Sequence, residues 1–529
     1  MIAATSRQNP LDGSAFGDQI SLFTGSTEFV VNDIEVKGNS GLPVTLGRRF
    51  IVRDKEGSVG DLTPFAIQGF HDWDIEIPYI SGTFDKMEGW VVGNSSDPHR
   101  LKRCSTVRRP FVGALDTVVW NKVWMGYDLH IPGMGEEKLL SAMPGAYGSP
   151  NDGQSYPWVT KSNIRLRCLN STENGYPGEA FVAITPSGTK YFFNWAIERS
   201  AAPINDGSTL SHNPTRQRKL VFLLATRIED RFGNFVNYEF SGNKVTSIVS
   251  SDGRSITLNY AGEKIVTATS SGRVWRYDYN STTGDLLEVK LPDGSSWRYE
   301  KNGNLKEFRV NYVAVNNPDI YDVCDPPPGF WNGPFTYTIT HPSGAKASYT
   351  FDHYRIRRGG DQCYPPPGSY TSFFDTWAIS SRTLMGPGLL SQTTNYTIRR
   401  PGGSSGWTST VAHPDGTTDL YLFGTLIERL SGTEIRSNEG LLLKKRTLSS
   451  SGAVVNEETI EYQYDPHEQT AYPKRIGGSL HSEHYFEGRI APKKKSSIAR
   501  SGMLFSEAVL TFDSFARPIS RKKYSETVP

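Results

Sequence analysis

The sequence predicts an all-β protein in which antiparallel β-hairpin repeats form a curved sheet or partial shell. In residues 226–310 a glycine-containing turn followed by an aromatic strand occurs four times. The turn glycines, Gly233, Gly253, Gly272 and Gly294, are spaced by 20, 19 and 22 residues. Short runs of alternating polar and apolar residues are common, whereas the apolar spacing of an amphipathic helix is scarce. With 51 Gly, 32 Pro, 25 Tyr and 26 Phe in 529 residues, the composition indicates a turn-rich protein with aromatic cores.

Each turn glycine sets the point at which the next strand begins. Glycine supplies the positive φ angle of a tight hairpin turn, so the fifth residue after it should always face the same side of the sheet. That residue is aromatic in six units and leucine in a seventh. A two-strand unit cannot bury its apolar face alone, so the units must stack. The pairs are Gly188 with Phe193, Gly233 with Tyr238, Gly253 with Leu258, Gly272 with Tyr277, Gly294 with Tyr299, Gly344 with Tyr349, and Gly416 with Tyr421.

These segments carry a resemblance to a known family. DRFGNFVNYEFSGNKVTSIVSSDGRSITLNY and GRVWRYDYNSTTGDLLEVKLPDGSSWRYEKNGNL resemble the RHS/YD-repeat family, whose units centre on Tyr-Asp and Gly with a downstream Leu. The dipeptide stands here as Tyr277-Asp278, and VWMGYDLHIPGMGEEKLL (123–140) is similar to the region before the repeats in bacterial RHS proteins. The resemblance implies a hollow shell around a variable C-terminal toxin, with enzyme activity confined to that cargo.

The chain divides by pattern into five regions. Residues 1–60 are predicted to be an opening β region, and residues 61–225 a less regular, β-rich domain before the repeats. Residues 226–310 hold the repeats. In residues 311–425 the repeats continue with proline-rich inserts, which cannot join a central strand ladder and therefore belong on the surface. Residues 426–529 hold degenerate YD-like repeats.

The four cysteines allow three pairings. Cys324 and Cys363 have near-twin contexts, CDPPPG and CYPPPG, and could form a disulfide in an oxidising compartment or remain two buried thiols. Cys104 and Cys168, in RLKRC and IRLRC, are a similar pair with weaker symmetry. Neither pair has the Cys-x-x-Cys spacing of a structural zinc site.

Charge and hydropathy say little about partners. The formal net charge of +2 neither requires nor excludes an anionic partner, and we expect no nucleic acid. No apolar run approaches the length of a transmembrane helix, and no signal peptide is legible at the N-terminus. We expect a secreted or cell-surface protein, and the sequence is also compatible with a cytoplasmic stage before delivery.

The densest acidic stretch is HDWDIE, residues 71–76. On a strand, Asp72, Asp74 and Glu76 would share one face, where carboxylates can hydrolyse glycosides or hold Ca²⁺. The same alternation is typical of a half-exposed strand, which we favour. His481 and His484 are spaced by three residues, which suits no metal site on a strand. We therefore expect no catalytic residue, metal or cofactor.

The sequence thus favours a non-catalytic RHS/YD-repeat shell or scaffold, part of a secreted or surface toxin-delivery protein. Its expected partner is further RHS core or C-terminal toxin sequence, which could be separately encoded. One alternative is a cell-surface carbohydrate-binding protein whose aromatic side chains stack on glycan rings. A less favoured alternative is a glycoside hydrolase that uses Asp72 and Asp74.

Overall fold

The computed structural model describes residues 14–38, 41–52, 67, 69–113, 124, 126–142, 152–205, 215–303, 334–357, 373–401, 407–424, 426–427, 436–437, 440–463, 473–476 and 490–527. The predicted all-β class is confirmed. The described residues form antiparallel strands and one 3₁₀ turn, Ser14–Phe16, with no α-helix among them. In these ranges no helix is both long and apolar enough to span a membrane.

A small sheet opens the chain, and we call it the N-terminal sheet. Its strands are ordered β1-β2-β3-β5-β4. Two of its strands lie in residues 69–76, beyond the opening region 1–60 outlined from the sequence, because Trp73 and Ile75 are buried in the core that this sheet builds. The strands are β1 Asp18–Ile20, β2 Thr27–Val36, β3 Val44–Val52, β4 Gly69–Phe70 and β5 Trp73–Glu76.

A second group of strands precedes the repeats and surrounds a core of its own. Buried aromatic side chains from this group, including Trp90, Tyr127 and Trp158, pack together there. The strands are β6 Tyr79–Asp85, β7 Asp128–Ile131, β8 Gly135–Lys138, β9 Leu140–Ser141, β10 Trp158–Val159, β11 Arg165–Leu169, β12 Ala180–Ile184, β13 Lys190–Asn205 and β14 Thr215–Glu229.

Strand β14 is the branch point of the large sheet. Its whole length pairs with β13 on one edge. On the other edge, residues 218–224 pair with β6, while residues 227–229 pair with the first repeat strand. A strand of 15 residues is long enough to serve both neighbours in this way.

The repeats continue from β14 as consecutive antiparallel hairpins, and we call them the repeat wall. Most of these strands are six or seven residues long, and two long hairpins follow the position of the first proline-rich insert. The strands are β15 Phe235–Ser241, β16 Lys244–Ser250, β17 Ser255–Ala261, β18 Lys264–Ser270, β19 Arg273–Tyr279, β20 Leu286–Lys290, β21 Ser296–Asn302, β22 Phe335–Thr340, β23 Lys346–Arg357, β24 Phe373–Gly386, β25 Leu389–Pro401, β26 Trp407–Ala412 and β27 Thr418–Phe423.

The wall extends through the degenerate region by the pairings β27-β30-β31-β33-β34-β35. Strand β32 pairs with β9, and β28 with β29. Among the described residues no register joins β35 to a strand other than β34, which fits an open curved sheet. The strands are β28 Leu426–Ile427, β29 Arg436–Ser437, β30 Leu442–Leu448, β31 Val454–Tyr462, β32 Lys474–Arg475, β33 Lys493–Arg500, β34 Met503–Phe512 and β35 Pro518–Thr527.

The main core lies between the N-terminal sheet and the repeat wall. Phe29 of β2 contacts the rings of Tyr337 and Tyr349, at centroid distances of 5.6 and 4.8 Å. Phe70 of β4 lies 4.8 Å from Tyr277. Because these contacts join residues more than 200 positions apart, the first strands of the chain are packed against its middle.

Candidate functional site

The side chains five residues after the turn glycines define the inner face of the repeat wall. All seven turn glycines have positive φ, between 75° and 88°. All seven side chains that follow them are buried, with exposed fractions from 0% to 9%. Phe193, the first of them, lies in the pre-repeat core. The other six line the core that the N-terminal sheet covers: Tyr238, Leu258, Tyr277, Tyr299, Tyr349 and Tyr421.

A second aromatic ring, seven positions after the turn glycine, occurs in six of the seven units and was not predicted from the sequence. A β-bulge follows Asn259 and Asp278, which places Tyr260 and Tyr279 against the strand before their own. Their hydroxyls donate to the carbonyl oxygens of Val245 and Ile265, at 2.8 and 2.6 Å. The signal that could have found them is the recurrence of an aromatic residue seven positions after the turn glycine.

An ion pair between Asp33 and Arg48 lies where the N-terminal sheet meets the repeat wall. Neither side chain has any exposed area, and the two hydrogen bonds from Arg48 to the carboxylate measure 2.6 and 2.8 Å. Asp33 occupies a bulge in β2, where the register skips from Asn32 to Ile34, and a bulge redirects a side chain. Both residues belong to the N-terminal sheet.

The repeat wall completes this ion pair with two inner-face tyrosines. The hydroxyl of Tyr277 donates to Asp33 Oδ2 at 3.0 Å, and Arg48 Nη2 donates to the hydroxyl of Tyr299 at 2.8 Å. Burial disfavours the charged guanidinium, but the Asp33 carboxylate outweighs it and the pKa of Arg48 stands well above its ordinary value. Burial raises the pKa of Tyr277, so its phenol remains a proton donor.

A second charged contact joins the N-terminal sheet to the wall through Asp72. Its carboxylate accepts hydrogen bonds from the Leu286 backbone N–H at 2.8 Å and from Lys301 Nζ at 2.5 Å. Lys301 also lies 3.3 Å from Asp285, and His71 lies 3.7 Å from that carboxylate. His71, Asp72 and Asp285 have the separations of a metal site. The Lys301 ammonium already supplies the cation that these carboxylates require.

The predicted half-exposed strand face at residues 72–76 is wrong at Asp72 and Glu76, whereas Asp74 is partly exposed as expected. The side chains of Asp72 and Glu76 are only 7% and 4% exposed. Glu76 forms a 2.9 Å hydrogen bond with buried His130. Burial alone would raise the pKa of Glu76, but His130 and Arg49 outweigh it and hold the pKa below its usual range. Asp72 and Glu76 therefore serve separate polar contacts.

A third charged contact lies at the far end of the N-terminal sheet. Asp18 of β1 accepts a 3.0 Å hydrogen bond from Arg382 of β24, and both side chains are at least 87% buried. Burial raises the pKa of Asp18 despite this partner. The pattern is the same as at Asp33 and Asp72, because an aspartate of the N-terminal sheet meets a cation or phenol of the wall. Such an arrangement holds two sheets together.

The remaining sequence predictions have different outcomes. Cys104 and Cys168 form a disulfide across a sequence separation of 64 residues. Cys324 and Cys363, whose pairing the sequence leaves open, lie outside the described residues, as do His481 and His484. His341 faces its own turn, where its Nδ1 accepts the backbone N–H of Ser343 at 3.0 Å.

No protein-family model matches this chain, and no curated protein matches it either. Two solved structures show weak similarity. One is a chain from the crystal structure of TcdB2-TccC3-Cdc42, with 9% identity and a TM-score of 0.18 over 73% of this chain and 22% of that one. The other is the N-terminal domain of effector protein SpvB from Salmonella typhimurium strain LT2, with 13% identity and a TM-score of 0.17 over 82% of this chain and 95% of that one. This chain thus covers about a fifth of the first structure, and TM-scores this low support no conclusion about function.

Proposed function

We propose that this chain is a non-catalytic structural protein, a YD/RHS-like repeat wall that encloses polypeptide on its inner face within a secreted or surface-delivered toxin assembly. The observation that supports it best is the Asp33–Arg48 pair with Tyr277 and Tyr299. Here the wall already holds a separate sheet by inner-face tyrosines and buried charges. Because the same turn-and-strand unit recurs, aromatic side chains line the inner face of the wall in successive units.

The inner face continues onto strands that the N-terminal sheet does not cover. Directly opposed residues project from the same face of a sheet. The registers lead from Tyr421 through Lys445 and Glu458 to Ile498 and then Phe505. Tyr421 is buried, but Ile498 is 39% and Phe505 51% exposed. Further repeat or cargo sequence is the partner that we assign to this uncovered part of the inner face.

The test is co-expression with the reading frame that lies next downstream. Under the proposal, its product co-purifies with this chain and becomes protected from protease. Replacing Ile498 and Phe505 with serine should abolish co-purification, whereas Leu390→Ser, at a side chain that is 89% exposed on β25, should not. If the product still co-purifies with the variant in which Ile498 and Phe505 are replaced, the assigned surface is refuted. A downstream frame with no repeat or toxin sequence would refute the assembly.

The alternatives receive less support. Phe232 and Phe505 are the large aromatic side chains that stand out as exposed among the described residues, so rows of rings for stacking on sugars are not displayed there. A glycan array with the purified chain tests carbohydrate binding directly, and strong selective binding would favour that function. Glycosidase activity that disappears in Asp72→Asn and Asp74→Asn variants would favour an enzyme.

A further inference from the structure

The segment of residues 86–113 covers the pre-repeat core without forming a strand. Its Trp90 is 1% exposed and packs against the rings of Phe84, Tyr127 and Phe181, at centroid distances of 4.9, 4.8 and 5.8 Å. A segment held by side-chain packing and turns, with no strand ladder, belongs to the part of a structure that opens most easily.

One covalent bond ties this segment to the sheet. Cys104 lies within it and Cys168 lies on β11, and their sulfurs are bonded. Around the bond, Glu179 accepts the backbone N–H groups of Cys104 and Ser105 at 2.9 and 2.7 Å. Cys104 is fully buried, whereas Cys168 is half-buried. A thiolate therefore reaches the bond from the side of Cys168.

Arg103, the residue before Cys104, is buried in surroundings that are unfavourable for its charge. Arg103 has no exposed area, and none of its three guanidinium nitrogens has a hydrogen-bond partner. Its guanidinium lies over the rings of Trp90 and Tyr176, at 5.4 and 5.1 Å, and the Glu179 carboxylate is the anion that acts on its charge. Burial lowers the pKa of Arg103. Burying a cation whose nitrogens lack hydrogen bonds is unfavourable, so the desolvation of Arg103 works against the closed arrangement of the segment.

We propose that the Cys104–Cys168 bond is a redox latch that keeps the 86–113 segment closed over the pre-repeat core. A dithiol reductant attacks the bond through a mixed disulfide. It leaves two protein thiols and is itself oxidised to a disulfide, with two electrons and two protons transferred to the protein. The segment then opens, and Arg103 passes into water. In a reducing compartment the core would be accessible, and in an oxidising one it would be covered. This inference does not depend on the proposed function.

The experiment uses the full chain, oxidised or treated with dithiothreitol, and a short exposure to trypsin followed by mass spectrometry. Cleavage after Arg103 reports opening, because trypsin cannot reach a fully buried side chain. Cleavage after Arg231, an exposed residue in a repeat turn, is the internal standard. We expect reduction to accelerate cleavage after Arg103 by at least about tenfold and to leave cleavage after Arg231 unchanged.

Three variants separate the latch from other effects of reduction. A Cys324→Ser and Cys363→Ser background leaves only the Cys104–Cys168 pair, and the response to dithiothreitol should persist in it. Cys104→Ser with Cys168→Ser should be cleaved rapidly even without reductant. Arg103→Met cannot be cleaved at that site, and Lys102 is exposed even when the segment is closed, so opening is followed in this variant and in the wild type by hydrogen exchange of residues 86–113. Because this change removes the buried charge and keeps the bulk, the reduced variant should open less than the reduced wild type does.

Equal cleavage after Arg103 in the oxidised and reduced protein would overturn the proposal. So would acceleration at Arg103 and Arg231 alike, because the bond would then support the whole fold and not one segment. If the 86–113 segment opens as fast in the reduced Arg103→Met variant as in the reduced wild type, the buried charge does not drive opening.

Discussion

Asp33 and Arg48 face each other across two hydrogen bonds of 2.6 and 2.8 Å, with no exposed side-chain area on either residue. Asp33 also accepts a hydrogen bond from Tyr277 of the repeat wall, and Arg48 donates one to Tyr299, while Nη1 of Arg48 has no hydrogen-bond partner. The hydrogen bonds to the two tyrosines thus fix the position of the N-terminal sheet along the repeat wall, which apolar packing alone would not do. Sliding the N-terminal sheet along the wall would keep the ion pair but break its hydrogen bonds to both tyrosines.

Asp33→Asn should destabilise the protein strongly. The change keeps the size of the side chain but leaves Arg48 charged, buried and without a counter-ion. Removing one partner of a buried ion pair costs about 3–5 kcal/mol. Urea unfolding followed by tryptophan fluorescence measures the loss. The matched control is Asp278→Asn, which removes a surface partner of Lys290 and should change the free energy of unfolding by less than about 1 kcal/mol. Similar losses for the two variants would contradict the role given to Asp33.

Tyr277→Phe should remove one hydrogen bond to a charged acceptor without changing the packing of the ring. A hydrogen bond to a charged group contributes about 1.5–3 kcal/mol, and we expect a loss of about 2 kcal/mol. Tyr524→Phe, at a partly exposed ring on β35, is the control and should be nearly neutral. Combined with Asp33→Asn, the Tyr277 change should cost less than it does alone, because the acceptor charge is already gone. Strict additivity would show that the two residues do not interact.

The sequence was most informative about the repeats. Glycine at a positive φ angle and an aromatic residue five positions later are local features, and local features can be recognised in a single chain. The curved antiparallel sheet follows from them. The bulges after Asn259 and Asp278 were missed, because their signal, an aromatic residue seven positions after the turn glycine, was not used.

The interface with the N-terminal sheet could not be predicted in the same way. Asp33 and Tyr277 are separated by 244 positions, and no periodicity links them. The alternation in residues 72–76 suggested one buried and one exposed face, yet the acidic side is covered at Asp72 by the repeat wall and at Glu76 by His130 of β7. Twin sequence contexts drew attention to Cys324 and Cys363, whereas the pairing in the described residues is Cys104 with Cys168, which the strand β11 brings together.

Acid should weaken the contact at Asp285. Burial alone would raise the pKa of this carboxyl, but His71 and Lys301 outweigh it and lower the pKa to about 2, from 3.8. A carboxyl with a depressed folded-state pKa contributes stability that is fully present above its ordinary pKa and is lost as the pH falls through the folded value. The expected contribution at neutral pH is about 2 kcal/mol.

The measurement is the difference in free energy of unfolding between the wild type and Asp285→Asn at several pH values. The difference should be largest above about pH 4 and should shrink towards zero near pH 2. A difference that stays constant across this range would mean that the variant acts through packing and not through the charge of Asp285.

Two glycines with nearly the same backbone conformation should respond differently to alanine. Gly253 has a φ of 86° and Gly25 a φ of 77°. A methyl group added at Gly253 would meet open space, whereas one added at Gly25 would collide with the Cβ of Ala378. Gly253→Ala should therefore cost only the left-handed backbone strain, about 1–2 kcal/mol. Gly25→Ala should cost a further amount of about 1–3 kcal/mol for overpacking.

The excess cost at Gly25 should fall on the contact between the N-terminal sheet and the wall, because the carbonyl of Gly25 also accepts the backbone N–H of Ile379 at 3.0 Å. Hydrogen exchange should then accelerate in β2 for Gly25→Ala and only near the turn for Gly253→Ala. Equal stability losses with exchange confined to each turn would show that the sheet does not press on the wall at this point.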